Sequence, residues 1–194
     1  MSAFNSYLRL GFEHILNIEA LDHVIFIIVL LAAHRPRHWL KMLIAVSLFG
    51  LGHSLSLTLA SFDMVSIDSE LIEFLIPLTI LFTAILNLSK FGPNPESKGK
   101  YWISILFGII HGLGFSNYYE MLVMGENRYW SALLPFNLGI ELGQVLIFAC
   151  FLVVIFLGQV VLNIKNRDWN IFFSGLGFGL AFIMLIKNLP PIFG

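Results

Sequence analysis

The chain has 194 residues, 58% hydrophobic and 12% charged, with a formal net charge of −1 and a mean hydropathy of +0.86. A soluble domain of this size has too little interior to hide so much apolar surface, which excludes a water-soluble enzyme or a nucleic-acid binder. Cys150 is the single cysteine, so an intrachain disulfide and a thiolate metal cluster are excluded as well.

Residues 1–17 place Phe4, Tyr7, Leu8, Phe12, Ile15 and Leu16 at helical spacing, against Asn5, Arg9 and Glu13. This pattern predicts a short amphipathic helix lying in the membrane interface, with His14 near its end. Stretches of about 20 apolar residues read as membrane-crossing helices. Six are predicted, at about 19–33, 39–61, 67–88, 101–124, 133–162 and 171–187. The fold class expected is therefore an all-α polytopic membrane protein, a single transmembrane domain over 1–194. The N-terminus lacks a basic region before its first apolar run, so it does not read as a cleavable signal.

Connections are short and marked by Arg35-Pro36-Arg37, Gly92-Pro93-Asn94-Pro95 and the stretch from Lys165 to Asn170. Loops after the first, third and fifth spans hold Arg35, Arg37, Lys41, Lys90, Lys98, Lys100, Lys165 and Arg167, eight of the eleven basic residues. Basic loops stay inside, so both termini are expected outside. The outer side collects Glu13, Glu19, Asp63, Asp68, Glu70, Glu120 and Glu126, a field that concentrates cations.

Ionisable residues within apolar helices are costly and mark function. The first span sets Glu19, Asp22 and His23 on one face, and the second carries His53 with Ser54 beside it. Glu73 lies in the third span and His111 in the fourth. The fifth aligns Asn137, Glu141 and Gln144. With both termini outside, Asp22 and His23 stand near the outer end of the first span. The others fall between the outer surface and the midplane. Phe49-Gly50-Leu51-Gly52-His53 is echoed by Phe107-Gly108-Ile109-Ile110-His111, a candidate parallel repeat. Imidazole with carboxylate suits zinc, nickel, cobalt or iron. His34 and His38, flanking Pro36 in a basic loop, read as solvated or lipid-facing.

Five stretches, in order, resemble the HupE/UreJ family of bacterial membrane proteins, in its shorter branch. They are Gly11-Phe12-Glu13-His14 with Asp22-His23; Gly52-His53-Ser54-Leu55-Ser56-Leu57; Glu73 leading into Pro77-Leu78; Phe107 to Phe115; and Phe136 to Gln144. The resemblance implies a nickel or cobalt permease in a bacterial inner membrane. The metal-handling positions it implies are His14, Asp22, His23, His53, Glu73, His111 and Glu141. Glu19, Ser54, Asn137 and Gln144 are accessory candidates. A divalent ion (nickel, cobalt or zinc) and the bilayer are the expected partners, and the Gly139–Gly143 pair leaves a homo-oligomer open. Two other readings compete with the permease. One is an intramembrane zinc hydrolase acting on a lipid or peptide, with Glu141 or Glu73 as general base and Ser54 and Ser116 as helpers. The other is a structural membrane subunit whose polar residues lock helices together.

Overall fold

The computed structural model describes residues 2–17, 21–62, 64–65, 67–89, 99–123 and 129–189. Glu19, Asp63, Lys90, the Gly92–Pro95 turn, Lys98, Glu126 and Arg128 lie outside the described residues. The described chain is helical, with no strand: α1 Ala3–Leu16, α2 Asp22–Ala32, α3 Trp39–Ser61, α4 Ser69–Leu88, α5 Gly99–Val123, α6 Tyr129–Phe156 and α7 Asn166–Lys187. A 3-10 turn, Pro36–His38, precedes α3, and a π turn, Leu157–Val161, extends α6. Local chemistry sets several ends. Asp68 Oδ1 accepts the backbone N–H of Glu70 at 2.9 Å and of Leu71 at 3.2 Å, capping α4. Asn163, at φ 55°, takes the left-handed conformation beyond the π turn.

Among the described residues, four helical stretches are long and apolar enough to cross a membrane: 36–61, 69–88, 130–161 and 166–187. The apolar α2 has only 11 residues, and α1 has 14. At about 1.5 Å per residue, neither spans a hydrocarbon core of about 30 Å alone.

The helices associate in pairs, α1 with α6, α3 with α5 and α4 with α7, while α2 packs against α4, α7 and α6. The α1·α6 pairing departs from the interfacial helix expected for residues 1–17. The apolar face expected on lipid is occupied by α6 instead. A Cβ on Gly11 would stand against the Phe136 carbonyl, and one on Gly139 against the Leu8 carbonyl. Only glycine lets two helix backbones approach so closely. Further along, Gly143 meets Phe12 and Ile15, so the two helices run in the same direction.

After Leu16 the chain breaks, and α2 carries on along the remainder of α6. Ile15, Ile27 and Leu31 share one apolar cluster with Phe136, Ile140, Ile147, Phe151 and Ile155. Together α1 and α2 therefore follow α6 as one interrupted helix. Asp22 and His23 start its second piece, partway down the bundle, and not at its outer end as the span pattern predicted.

The α3·α5 pair repeats the α1·α6 crossing. Gly108 faces the Phe49 carbonyl and His53 N, as Gly11 faces the Phe136 carbonyl and Ile140 N. Gly52 faces the Ile105 carbonyl and Ile109 N, as Gly139 faces the Leu8 carbonyl and Phe12 N. The Phe49–His53 and Phe107–His111 stretches, read from sequence as echoes, pack directly on each other. The contacts match α1 with α5 and α6 with α3. His14 follows Gly11 by three residues, as His111 follows Gly108.

A polar staple fixes α2 from the other side. Asn87 Nδ2 donates to the Val29 carbonyl at 2.7 Å and to Ser174 Oγ at 3.2 Å. Asn170 Nδ2 donates to the Asn87 carbonyl at 2.8 Å, closing α4, α7 and α2 into one unit.

Candidate metal centre

Asp22 and His23 occupy the first turn of α2, where the helix dipole favours a carboxylate. Their position is set by the break after α1 and by the staple on α2. His53 reaches the same place from α3, and His111 from the midpoint of α5, twelve residues from either end. His14 arrives from the last turn of α1. His23 lies at the centre: its ring centroid is 5.1 Å from His14, 5.2 Å from His53 and 5.1 Å from His111. The equal distances to His14 and His111 follow from the matched glycine crossings, which place those two histidines alike.

Two overlapping triads result, His14–His23–His53 and Asp22–His23–His111. In each, one ligand atom per residue lies within 4.8 Å of the others. A tetrahedral ion with bonds of about 2.0–2.1 Å needs donors roughly 3.4 Å apart, so a modest closing movement would complete either set.

Hydrogen bonding decides which nitrogens are available. Thr79 Oγ1 donates to the Ile76 carbonyl at 2.7 Å, so towards His111 it can only accept. It lies 3.0 Å from His111 Nε2, which must carry the proton. The His111 Nδ1 lone pair is left free, 3.8 Å from Asp22 Oδ2. In the same way Asp22 Oδ1, 3.2 Å from His23 Nδ1, holds the proton there and leaves His23 Nε2 as the donor atom. A carboxylate or hydroxyl behind an imidazole is the usual means of orienting a metal ligand. His14 Nε2, His23 Nε2, His111 Nδ1 and both nitrogens of His53 are buried with no hydrogen-bond partner among the described residues. Buried polar atoms are rarely left so, and several facing one point call for a ligand.

A cavity of about 280 Å³ opens beside the cluster, with His14, Asp22, His23 and His111 on its polar side and Ile76 and Phe115 on its apolar side. Aromatic rings flank the cluster. Phe26 and Phe49 stack at 4.5 Å beneath His111, and Phe115 lies 3.8 Å from His14. Nitrogen-rich donors with one carboxylate suit a borderline divalent metal better than calcium or magnesium.

The structure does not bring every predicted residue here. Glu73 has its side chain exposed on α4. Its carbonyl matters more: Pro77, four residues on, has no N–H to donate, and Asn188 Nδ2 fills that vacancy at 3.0 Å. Glu141 is half-buried and accepts from Ser47 Oγ at 2.6 Å, between α3 and α6, and belongs to neither triad. Gln144 is buried beside it, facing Gly50, while Asn137 lines a small crevice with Thr58 and Trp130. Ser54 is half-buried next to His53, its carbonyl accepting from Thr58. His34, read as solvated or lipid-facing, is 2% exposed and packed at the far end of α2. Thr79 escaped the sequence reading; its only signal was a hydroxyl in an apolar helix, which is commonplace.

No curated protein and no solved structure matches the chain. The profile of the family described as HupE / UreJ protein matches residues 1–188. With all but the last six residues matched, the chain belongs to the HupE/UreJ family.

Proposed function

We propose that this protein is a secondary permease for a divalent transition metal ion of the nickel or cobalt class. The observation that carries the reading is the convergence of four imidazoles and Asp22 at the break between α1 and α2, with their free nitrogens unpartnered. Irregular backbone at membrane depth is tolerated where it lines a cavity, and interrupted helices build the substrate sites of many transporters. Counting α1 with α2 as one crossing gives six, with both termini on the side poorer in Lys and Arg.

An ion enters the cavity through His14 and is held by His23 with either His14 and His53 or Asp22 and His111. Sharing His23 lets it pass between triads by exchanging two ligands while keeping one. A charge of −1 from Asp22 in one triad and none in the other gives the two positions different affinities. The zinc hydrolase reading is less favoured, because Glu141 and Glu73, its candidate bases, are engaged or exposed away from the imidazoles.

The test is nickel entry into proteoliposomes containing a metal-quenched fluorophore. His23→Ala and His111→Ala should each abolish entry in protein that still elutes as a single species. Undiminished flux in both variants would sink the reading.

A further inference from the structure

We infer that the basic end of the bundle holds a binding site for one anionic phospholipid. Two adjoining crevices make it. The first, of about 310 Å³, is lined by Arg35, Arg37, Gln159 and Asn166. The second, of about 480 Å³, is lined by Leu157, Leu162, Trp169, Phe172 and Phe173. Ile164 forms part of both walls, so the crevices lie side by side. One is basic and the other apolar, which is the division between a phosphate headgroup and an acyl chain.

Local structure shapes both. The π turn Leu157–Val161 displaces the end of α6 from the regular helix, and the left-handed Asn163 then turns the chain into α7. Gly158, on that turn, lies against the Trp169 ring; any side chain there would collide with it. Gln159 Nε2 donates to Asn166 Oδ1 at 3.1 Å and to the His34 carbonyl at 3.4 Å, giving the headgroup crevice a fixed floor. Arg35 and Arg37 are exposed above it. Trp169 is only 5% exposed, and its indole N–H has no partner among the described residues. A lipid ester carbonyl is the acceptor that an indole at a membrane interface commonly meets.

Charge favours an anionic lipid over a zwitterionic one. Arg35, Arg37, Lys165 and Arg167 gather at this end, against Asp168 on the rim of the apolar crevice. Basic pockets between helices on the inner side are where anionic headgroups bind.

The experiment is native mass spectrometry of the purified protein titrated with phosphatidylglycerol or with phosphatidylcholine of the same chains. One phosphatidylglycerol should be retained per chain, roughly 10- to 30-fold more tightly than phosphatidylcholine, as two arginines at a membrane surface give. The double variant Arg35→Ala with Arg37→Ala should lose that preference. Ile164→Glu, in an exposed connection, should weaken phosphatidylglycerol binding by setting a like charge between the crevices. Equal binding of the two lipids, or a preference surviving in the double variant, overturns the assignment. So does displacement of the lipid by an equal concentration of glycerol phosphate, which has a headgroup but no chains. Metal flux is not part of the readout, so failure of the permease reading leaves this result intact.

Discussion

Thr79 orients His111 without being a candidate ligand itself. Its hydroxyl proton is committed to Ile76, so it fixes the imidazole proton on Nε2 and leaves Nδ1 for the cluster. Thr79→Val keeps the shape and removes the acceptor. Nickel affinity, measured by calorimetry, should fall about 10- to 100-fold, the usual loss when an orienting partner goes. Glu73 gives the contrasting expectation. Its side chain is exposed, so Glu73→Gln should leave nickel affinity within about twofold, a far smaller effect than an orienting loss. Asn188→Ala, by contrast, strips the partner from the Glu73 carbonyl beside Pro77. The bond is exposed, so its loss should cost about 0.5–1.5 kcal/mol of stability, read by thermal unfolding. The residues that converge were visible in the sequence because His23, His53 and His111 interrupt apolar runs, where any ionisable group is expensive. Glu73 misled for a related reason. It too interrupts an apolar span, but it lies one turn from the end of α4, where a carboxylate can reach out of the bundle.

At the scale of the helix, the matched crossings do the positioning. Gly11 with Gly139, and Gly108 with Gly52, bring paired backbones close enough to set His14 and His111 at the same distance from His23. Gly11→Leu or Gly108→Leu should therefore push a pair apart. The expected cost is at least about 1–3 kcal/mol, the range for overpacking, visible as a lower melting temperature in detergent. Gly175→Leu is the control, because nothing lies within 4 Å of the Cβ it would add. Nickel binding should weaken with the first two and not with the third. The misreading of α1 belongs to this scale. An amphipathic pattern states that one face seeks apolar surroundings, but it does not say whether lipid or another helix supplies them. Gly11 was the clue that a helix does, since a lipid-facing helix gains nothing from a glycine there. The break after Leu16 left one sign in the sequence, a first predicted span (about 19–33) shorter than the roughly 20 residues that a crossing takes.

Across the whole molecule, one ion at His23 would join α2 to α1 and α3 in one triad, or to α5 in the other. Binding only to the folded form, nickel at a hundred times its dissociation constant should add about 2.7 kcal/mol of stability. The gain should disappear on acidification, because protons compete for the imidazole nitrogens that the metal needs. Melting curves with and without nickel at successively lower pH would show the gap closing once the imidazoles take up protons; a gap that survived their protonation would contradict imidazole ligation.

The pairing of helices also bears on how the protein is made. Each of the three main pairs joins an element before residue 90 to one after residue 98: α1 to α6, α3 to α5 and α4 to α7. Residue 16 ends α1 and residue 156 ends α6, so 140 residues separate their completion. At roughly 5–20 residues per second, α1 waits roughly 7–28 s for the helix that covers its glycine face. Throughout that interval His14, Asp22 and His23 have no α5 to shield them. A ribosome stalled on this message near residue 98 would leave a nascent chain without any of its three pairings, a ready substrate for membrane quality control.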